Sequence, residues 1–425
     1  NVEQKDKYYT RLLITTLMIA FYILLTIVAV VLIFSIFIKV KYPFWSSQPV
    51  FHVYNLSYYI RPVGIIQHDI PDKNKYYRPD VVVKKIDTDN MSYLETSVTS
   101  FIQTHYLQTS MSSFVPNKSN IIPYFKGHST PCHLSTWTIQ NPILHNNSGK
   151  VTAKDEIKGC MTTRPLHVDI FTVSGNKSVP SFDINYVDYL CVSSYHRKKG
   201  VAPIVIYTHQ YTIQREPQRI PVSLFKREDE ITGIVPLCFY KTTTFDMSKW
   251  TMLAEVPANR GVVIRCDSSN YTIVHNFIQE RKNAFQICIL PSIGNMISLM
   301  ESENLYVYML LNETQILQSV YFFRNCCMKH EDGENNLSLV ASIRVDDLPD
   351  DIFAYSCKLS ITKIVKEYGE ECNYKYFSVE NISSNDAIVE DLNTKNAHIS
   401  SSPTAYFFYN FACPTYPSNK TFILN

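Results

Sequence analysis

The stretch of this 425-residue chain best suited to chemistry runs from Val187 to Pro203. An apolar strand ends at Val192, and a basic loop follows, His196-Arg197-Lys198-Lys199-Gly200. A helix is then expected to begin near Ala202-Pro203, where proline fits because the amide it lacks is unpaired in a first turn. A helix N-terminus offers free backbone N–H groups and the positive end of the helix dipole. Three cations directly before it make a local anion site, best suited to phosphate or pyrophosphate. The residues alone leave open a second reading, a solvated basic loop. Two stretches mix cysteine and histidine, His128-Ser-Thr-Pro-Cys132-His133 and Cys326-Cys327-Met-Lys-His330. Neither has a partner cluster at zinc-site spacing, so no metal ligands are assigned.

The elements that must hold this loop read as mixed strands and helices. Residues 151–174 and 183–193 are expected to be strands, and the stretch after Pro203 a helix with Ile204, Ile206, Tyr207 and Tyr211 on one side. Residues 89–110 carry apolar residues at helical spacing, with Asp89 or Asn90 as N-cap candidates. Residues 42–80, rich in Tyr and Pro, read as an extended arm, and 220–240 as strand, turn, strand. From about residue 250 the pattern starts again. It gives a hairpin over 307–325 around Asn312, a helix over 350–368, and closing strands at 373–380 and 405–412. Mixed elements twice over predict an α/β protein of two similar halves.

Composition narrows the class. Charged residues are 18%, hydrophobic residues 45% and aromatic residues 13%. A disordered chain needs low hydrophobicity and high net charge, so that class is excluded. A net charge of +2 gives no global field to attract nucleic acid. Leu12 to Ile38 contains no charged residue and lies between Arg11 and Lys39. At ~1.5 Å per residue this run is long enough to cross a ~30 Å hydrocarbon core with some tilt. It is about twice the length of a signal-peptide apolar region and does not end in small residues. A single-pass membrane helix is therefore expected. Lys5, Lys7 and Arg11 on one side against Lys39 and Lys41 on the other give a slight bias toward a cytosolic N-terminus. Eleven cysteines, an odd number at irregular spacing, favour a reducing compartment. About ten Asn-x-Ser/Thr sequons point the other way, but many arise by chance in a chain this rich in Asn, Ser and Thr.

The segment Val187-Asp-Tyr-Leu-Cys-Val-Ser-Ser-Tyr-His-Arg-Lys-Lys-Gly-Val-Ala-Pro203 resembles the (I/V)NFLCVHKKLRSKR(L/V)AP strand and loop of the N-myristoyltransferases. Two further matches are collinear with it. Tyr42-Pro-Phe-Trp-Ser-Ser-Gln-Pro-Val50 is similar to that family's YKFWxTQPV, and Tyr406-Phe-Phe-Tyr-Asn-Phe-Ala-Cys-Pro414 to its YYLYNWxCP. Weaker echoes are Gly159-Cys-Met-Thr-Thr-Arg-Pro165 and Pro236-Leu-Cys-Phe-Tyr240.

The resemblance implies two tandem acetyltransferase-like (GNAT-like) halves with pseudo-two-fold symmetry, behind one N-terminal membrane helix. The ranges would be 1–41 for the flank and helix (about 12–38), 42–240 for the acyl-CoA half, and 241–425 for the half with the acceptor groove. It implies myristoyl-CoA as co-substrate, with no permanently bound cofactor. Tyr42, Phe44 and Trp45 would lie along the CoA. Arg197, Lys198, Lys199 and the Gly200, Val201, Ala202 and Pro203 turn would grip its phosphates, with Leu190, Cys191 and Val192 beside them. The backbone amides of Tyr189 and Leu190 would form the oxyanion hole, and the α-carboxylate of Asn425 would be the general base. Asp188 and Tyr240 would touch the acceptor, a peptide or protein N-terminus. The family's Asn is Asp188 here, its late Gly-rich stretch is His398-Ile-Ser-Ser-Ser-Pro403, and its His after CRYW is absent. The acyl-CoA side is thus better kept than the acceptor side. Acyl-CoA chemistry places the catalytic domain in the cytosol, against the charge bias of the helix flanks and in line with the unpaired cysteine. The alternatives are a membrane-anchored, non-catalytic binding or structural protein, or an acyltransferase with another acyl chain or acceptor.

Overall fold

The charge-free run Leu12–Ile38 forms the greater part of one continuous helix in the computed structural model, which describes residues 2–61, 64–109, 112–144, 151–228, 233–251, 253 and 261–425. This helix, α1 (Val2–Lys41), packs on the rest of the molecule only near its C-terminal end. Leu17, Phe21 and Leu24 are about 60% exposed, whereas Ile38 is buried. It is long and apolar enough to cross a membrane. The first half continues with β1 (Gly64–Ile65), β2 (Val81–Lys85), α2 (Thr88–Tyr93), α3 (Thr99–His105), β3 (Ser112–Phe114), α4 (Lys118–Ile121) and β4 (His133–Leu144). Next come β5 (Val151–Ile170), β6 (Phe182–Val187), β7 (Cys191–Val192), α5 (Val201–Ile213), β8 (Ser223–Glu228) and β9 (Cys238–Asp246). The second half contains β10 (Val262–Cys266), α6 (Tyr271–Arg281), β11 (Ile287–Leu290), α7 (Ile293–Glu301), β12 (Leu305–Leu311), β13 (Leu317–His330) and β14 (Asn335–Arg344). It closes with α8 (Asp350–Cys372), β15 (Tyr374–Glu380), α9 (Asp386–Lys395), β16 (His398–Tyr409), β17 (Phe411–Ala412) and β18 (Thr421–Ile423).

The expected mixed α/β fold is present, and most strands join one large sheet. Each half contains the same unit, a strand, a crossover helix and a parallel strand: β6–α5–β8 and β14–α8–β15. Parallel neighbours require such a crossover. The halves are not separated by a linker. β16, from the end of the chain, pairs on one side with β8 and on the other with β9, and β9 also pairs with β15. Residue 240, where the sequence divides the halves, therefore lies inside a shared strand.

Local sequence explains the elements. Phe353, Cys357, Ile361, Ile364 and Tyr368 recur at the helical period, and all are buried against the second-half strands as α8. LYVYMLL of β12 is apolar on both faces because both are covered. The expected helix over 89–110 is shorter and interrupted: a π turn over Leu94–Val98 separates α2 from α3. Thr99 Oγ1 donates to the Leu94 carbonyl at 2.8 Å there, and the extra residue puts Leu94, Val98, Phe101 and Ile102 all into the core. The arm over 42–80 is not simply extended. It contains two 3₁₀ turns and then crosses α5, where the Arg78 amide donates to Thr208 Oγ1 at 3.1 Å.

Candidate active site

The expected continuous strand over 183–193 is broken, and the break builds the site. Asp188 and Tyr189 stand opposite the single residue Thr162 of β5. The Asp188 amide donates to the Thr162 carbonyl at 3.2 Å, and the Thr162 amide to the Tyr189 carbonyl at 3.3 Å. This is a β-bulge, which bends its strand and turns the next residues in a new direction. Pairing resumes at Cys191 opposite Cys160. N–H groups alternate in direction along an antiparallel strand, so Leu190, next to the paired Cys191, has its amide turned away from β5. It makes no hydrogen bond among the described residues. The Tyr189 amide, expected as the second oxyanion donor, is instead taken by Thr162 Oγ1 at 3.1 Å.

The bulge also opens a cavity. β6 and β8 are parallel partners only at Asn185–Ser223 and Tyr186–Leu224. Beyond that point β7 returns to β5 while β8 continues along β16, so the two strands splay. A cavity of about 680 Å³ lies between them. Val187, Asp188 and Leu190 form one wall, Ser223, Phe225, Lys226 and Arg227 another, and Gly200, Ala202, Pro203 and Ile206 of the α5 end a third. Tyr42, Pro43, Phe44 and Trp45, directly after α1, close it, with Trp45 stacked on Phe225 at 5.3 Å. Three sequence segments far apart in the chain thus meet at one space.

The basic loop sits at the start of α5. Gly200 is the N-cap, in the left-handed region at φ 76°, with no side-chain cap. That conformation suits glycine and leaves the first amides of the helix without a capping side chain. Lys198 is also left-handed, at φ 61°. Neither Lys198 nor Lys199 has a hydrogen bond or ion pair among the described residues. Arg197 is engaged with its own fold: Nη2 donates to the His105 carbonyl and Nε to the Val192 carbonyl at 3.4 Å. Cys191 is buried and paired with Cys160 across β7 and β5, and burial pushes its thiol up to about 12.

Charges concentrate behind the cavity. Arg164 is fully buried between the rings of Tyr124 and Tyr186, at 5.2 and 5.3 Å, and its Nε donates to both Asp188 oxygens at 3.0 and 3.1 Å. Burial raises the Asp188 pKa, and Arg164 and Arg324 only partly offset this. Lys226 reaches Glu380 at 2.9 Å, and the Tyr240 hydroxyl donates to the same carboxylate. Burial would lower the Lys226 pKa, but Glu380 turns the balance upward. Tyr240 is thereby committed to Glu380 and does not line the cavity. Asn425 is buried: its Oδ1 accepts from Arg324 Nη2 at 3.2 Å and its amide nitrogen donates to the Tyr186 hydroxyl. β18 holds it there, parallel to β11. Three cationic side chains, Arg164, Arg324 and Lys226, face two carboxylates, Asp188 and Glu380. The side chains alone leave one positive charge in a low-dielectric interior, a setting that favours a further anionic group.

Of the residues expected to act, Tyr42, Phe44, Trp45, Asp188, Leu190, Gly200, Ala202 and Pro203 line the cavity. Lys198 and Lys199 lie on the exposed loop beside its α5 wall, Val201, the first residue of α5, is buried in a small cluster with Val205 against which Val192 packs, and Asn425 and Tyr240 lie in the core. Thr162, Arg164, Lys226, Arg324 and Glu380 were not anticipated. Arg164 did carry a signal, a lone cation in an otherwise uncharged stretch of a long strand. Among the described residues no group of three or more His, Cys, Asp or Glu could hold a metal ion.

No protein-family model matches the chain, and no curated protein sequence does. Solved structures do. A crystal structure of Saccharomyces cerevisiae N-myristoyltransferase with bound myristoyl-CoA superposes with a TM-score of 0.66 at 11% identity, covering 89% of this chain and 90% of that one. A second, of the same yeast enzyme with bound myristoyl-CoA, gives 0.66 at 13% identity, covering 90% and 95%. A third, with myristoyl-CoA and inhibitors, gives 0.64 at 13% identity, covering 92% and 94%. With a mixed sheet that brings residues of the three matching segments, Tyr42 to Trp45, Val187 to Pro203 and, through Tyr409, the third, to one cavity, this chain carries the fold of the N-myristoyltransferases.

Proposed function

We propose that the protein is a membrane-anchored N-acyltransferase that moves a fatty acyl group, myristoyl in the first instance, from acyl-CoA to an amine, a protein N-terminal glycine being the leading acceptor. The cavity in the β6–β8 splay carries this reading. Its volume falls within the roughly 300–1,000 Å³ of small-molecule sites. Its walls contain Tyr42, Phe44, Trp45, Leu190, Gly200, Ala202 and Pro203 of the residues that the resemblance assigns to acyl-CoA, and the yeast enzyme of the same fold was crystallised with myristoyl-CoA.

In the proposed reaction the CoA phosphates lie on Lys198, Lys199 and the free amides at the start of α5. Trp45 and Phe44 cover the pantetheine, and the acyl chain enters the splay. The amine attacks the thioester carbonyl; the Leu190 N–H donates to the developing oxyanion, which a preorganised donor stabilises by about 2.7–4 kcal/mol. The Arg164–Asp188 pair keeps the Asp188 carboxylate from opposing that charge. The α-carboxylate of Asn425 is the proposed base: it takes one proton from the acceptor ammonium before attack, and collapse of the tetrahedral adduct then breaks the C–S bond and releases CoA, whose thiolate takes up the second amine proton. The excess positive charge from Arg324, Arg164 and Lys226 would hold it ionised, and β18 fixes its position. All eleven cysteines are free thiols. That supports a catalytic domain on the cytosolic side, where acyl-CoA and new protein N-termini are found.

The test is calorimetric titration of the full chain in lipid nanodiscs with a non-hydrolysable myristoyl-CoA analogue, using empty discs as blank. A double variant, Lys198→Ala/Lys199→Ala, runs beside it. Two lost charge-assisted phosphate contacts at an exposed loop are expected to weaken binding by about 10–100-fold. No binding by the folded parent chain removes the transferase reading and leaves an anchored, non-catalytic protein.

A further inference from the structure

We infer that the face of the domain around the end of α1 lies on the bilayer surface and inserts the 3₁₀ turn Leu56–Tyr59 and the adjoining Ile60 into it, so that the acyl cavity is entered at headgroup level. The inference rests on the membrane and acyl-CoA readings proposed for this chain. α1 does not hang from a linker. Ile38 is buried against Gly233, where an added Cβ would stand 2.8 Å from it, and Lys39 lies over the Tyr54 ring at 5.6 Å. The same stretch of chain holds the 3₁₀ turn. The Val53 amide donates to the Gly233 carbonyl at 3.1 Å, and the Val235 amide to the Phe51 carbonyl at 2.7 Å. The helix end and the turn therefore share one anchor, and the helix fixes the turn relative to the membrane.

That turn presents apolar side chains outward. Ile60 is 87% exposed, Leu56 56% and Tyr59 57%, and Val40 at the end of α1 is 75% exposed. Phe51 holds Tyr58 and Tyr59 edge-on at 5.5 and 4.8 Å, so the turn is braced from behind. Lys39, over the Tyr54 ring, and Arg61, directly after Ile60, flank the turn. Apolar and tyrosine side chains flanked by cations are the composition of an interfacial membrane contact. Continuity with a membrane-spanning helix selects the bilayer as the occupant. The next four residues after Lys41, Tyr42 to Trp45, are the cavity wall, so the mouth lies within a turn or two of the membrane plane. A long-chain acyl-CoA partitioned into the interface would then reach the site without crossing water.

Nine of the eleven cysteines are buried and Cys326 and Cys372 are half-buried. An introduced, exposed cysteine is therefore the preferred target for a thiol-reactive fluorophore. Ile60→Cys and, as reference, Ile316→Cys at the tip of the β12–β13 hairpin would each be labelled with a nitrobenzoxadiazole dye. The full chains would be placed in phosphatidylcholine nanodiscs with and without lipids carrying a shallow nitroxide. The Ile60 label is expected to be quenched several-fold more than the Ile316 label. Adding Leu56→Asp should bring it down to the reference, although α1 still spans the disc. Equal quenching at both sites overturns the inference. So does an Ile60 label that is shielded from aqueous iodide but untouched by the nitroxide, which would mark a protein partner or a second copy. Lipid quenching without binding of the acyl-CoA analogue would keep the docking and discard the reading of the cavity; the converse would do the reverse.

Discussion

Replacing Thr162 by Val separates two versions of the oxyanion site. Thr162 is fully buried, and its Oγ1 is the partner of the Tyr189 amide at 3.1 Å. Valine keeps the shape and removes the acceptor. The Tyr189 N–H then has no partner in a buried bulge, which costs about 1–3 kcal/mol of stability. The backbone bonds from Asp188 and Thr162 across the bulge remain, so the fold should persist. Chemical denaturation of the full chain at fixed detergent reads the stability loss as a lower midpoint. The kinetic consequence depends on which amide acts. If Leu190 is the working donor, as its direction indicates, a loosened bulge misplaces it and kcat falls by roughly 10–100-fold, part of the 10²–10³ that a lost donor costs. KM for acyl-CoA should change little, because Thr162 does not line the cavity. A rise in kcat would refute the assignment of Leu190. It would mean that Thr162 holds back a Tyr189 amide which serves the transition state once released. An unchanged midpoint would refute the structural premise that the amide depends on that hydroxyl.

Two further outcomes are expected. His209 of α5 is fully buried between Ser135 Oγ at 2.7 Å and Thr163 Oγ1 at 3.1 Å, and burial first, then His133, lowers its pKa to about 3. The unfolded chain takes up this proton near pH 6.5 and the folded one does not, so stability falls as pH drops from about 6.5 toward 3, with a limiting slope of about 1.4 kcal/mol per pH unit from this group. His209→Gln should flatten the pH dependence of the unfolding midpoint over that window; an unaltered slope would show that His209 is not held neutral. Appending Gly-Gly after Asn425 moves the terminal carboxylate while leaving the Asn425 side chain to Arg324 and Tyr186. Acyl transfer should drop by at least about 100-fold, the usual order for loss of a general base, with acyl-CoA binding kept. Retained transfer would remove the terminal carboxylate from the mechanism.

Much of this architecture is legible in local sequence, because local rules govern it. The apolar run of α1, the periodic apolar face of α8, the turn at Asn312 and the Gly200-to-Pro203 helix start each follow from residues a few positions apart. The segments at 42–50, 187–203 and 406–414 carry enough shared residue types to indicate the fold before any coordinates. The tertiary structure decided what depends on partners distant in sequence. Whether an amide in a strand is free depends on the strand opposite: Thr162 takes that of Tyr189, 27 positions away, and leaves that of Leu190. Whether Asp188 opposes or tolerates negative charge depends on Arg164, which a charge count cannot assign to it. Tyr240 belongs to Glu380, 140 positions on, and the halves share β9 and β16 rather than meeting at residue 240. Residue type and spacing fix which groups are present; the pairing of strands distant in sequence fixes which of them are already used.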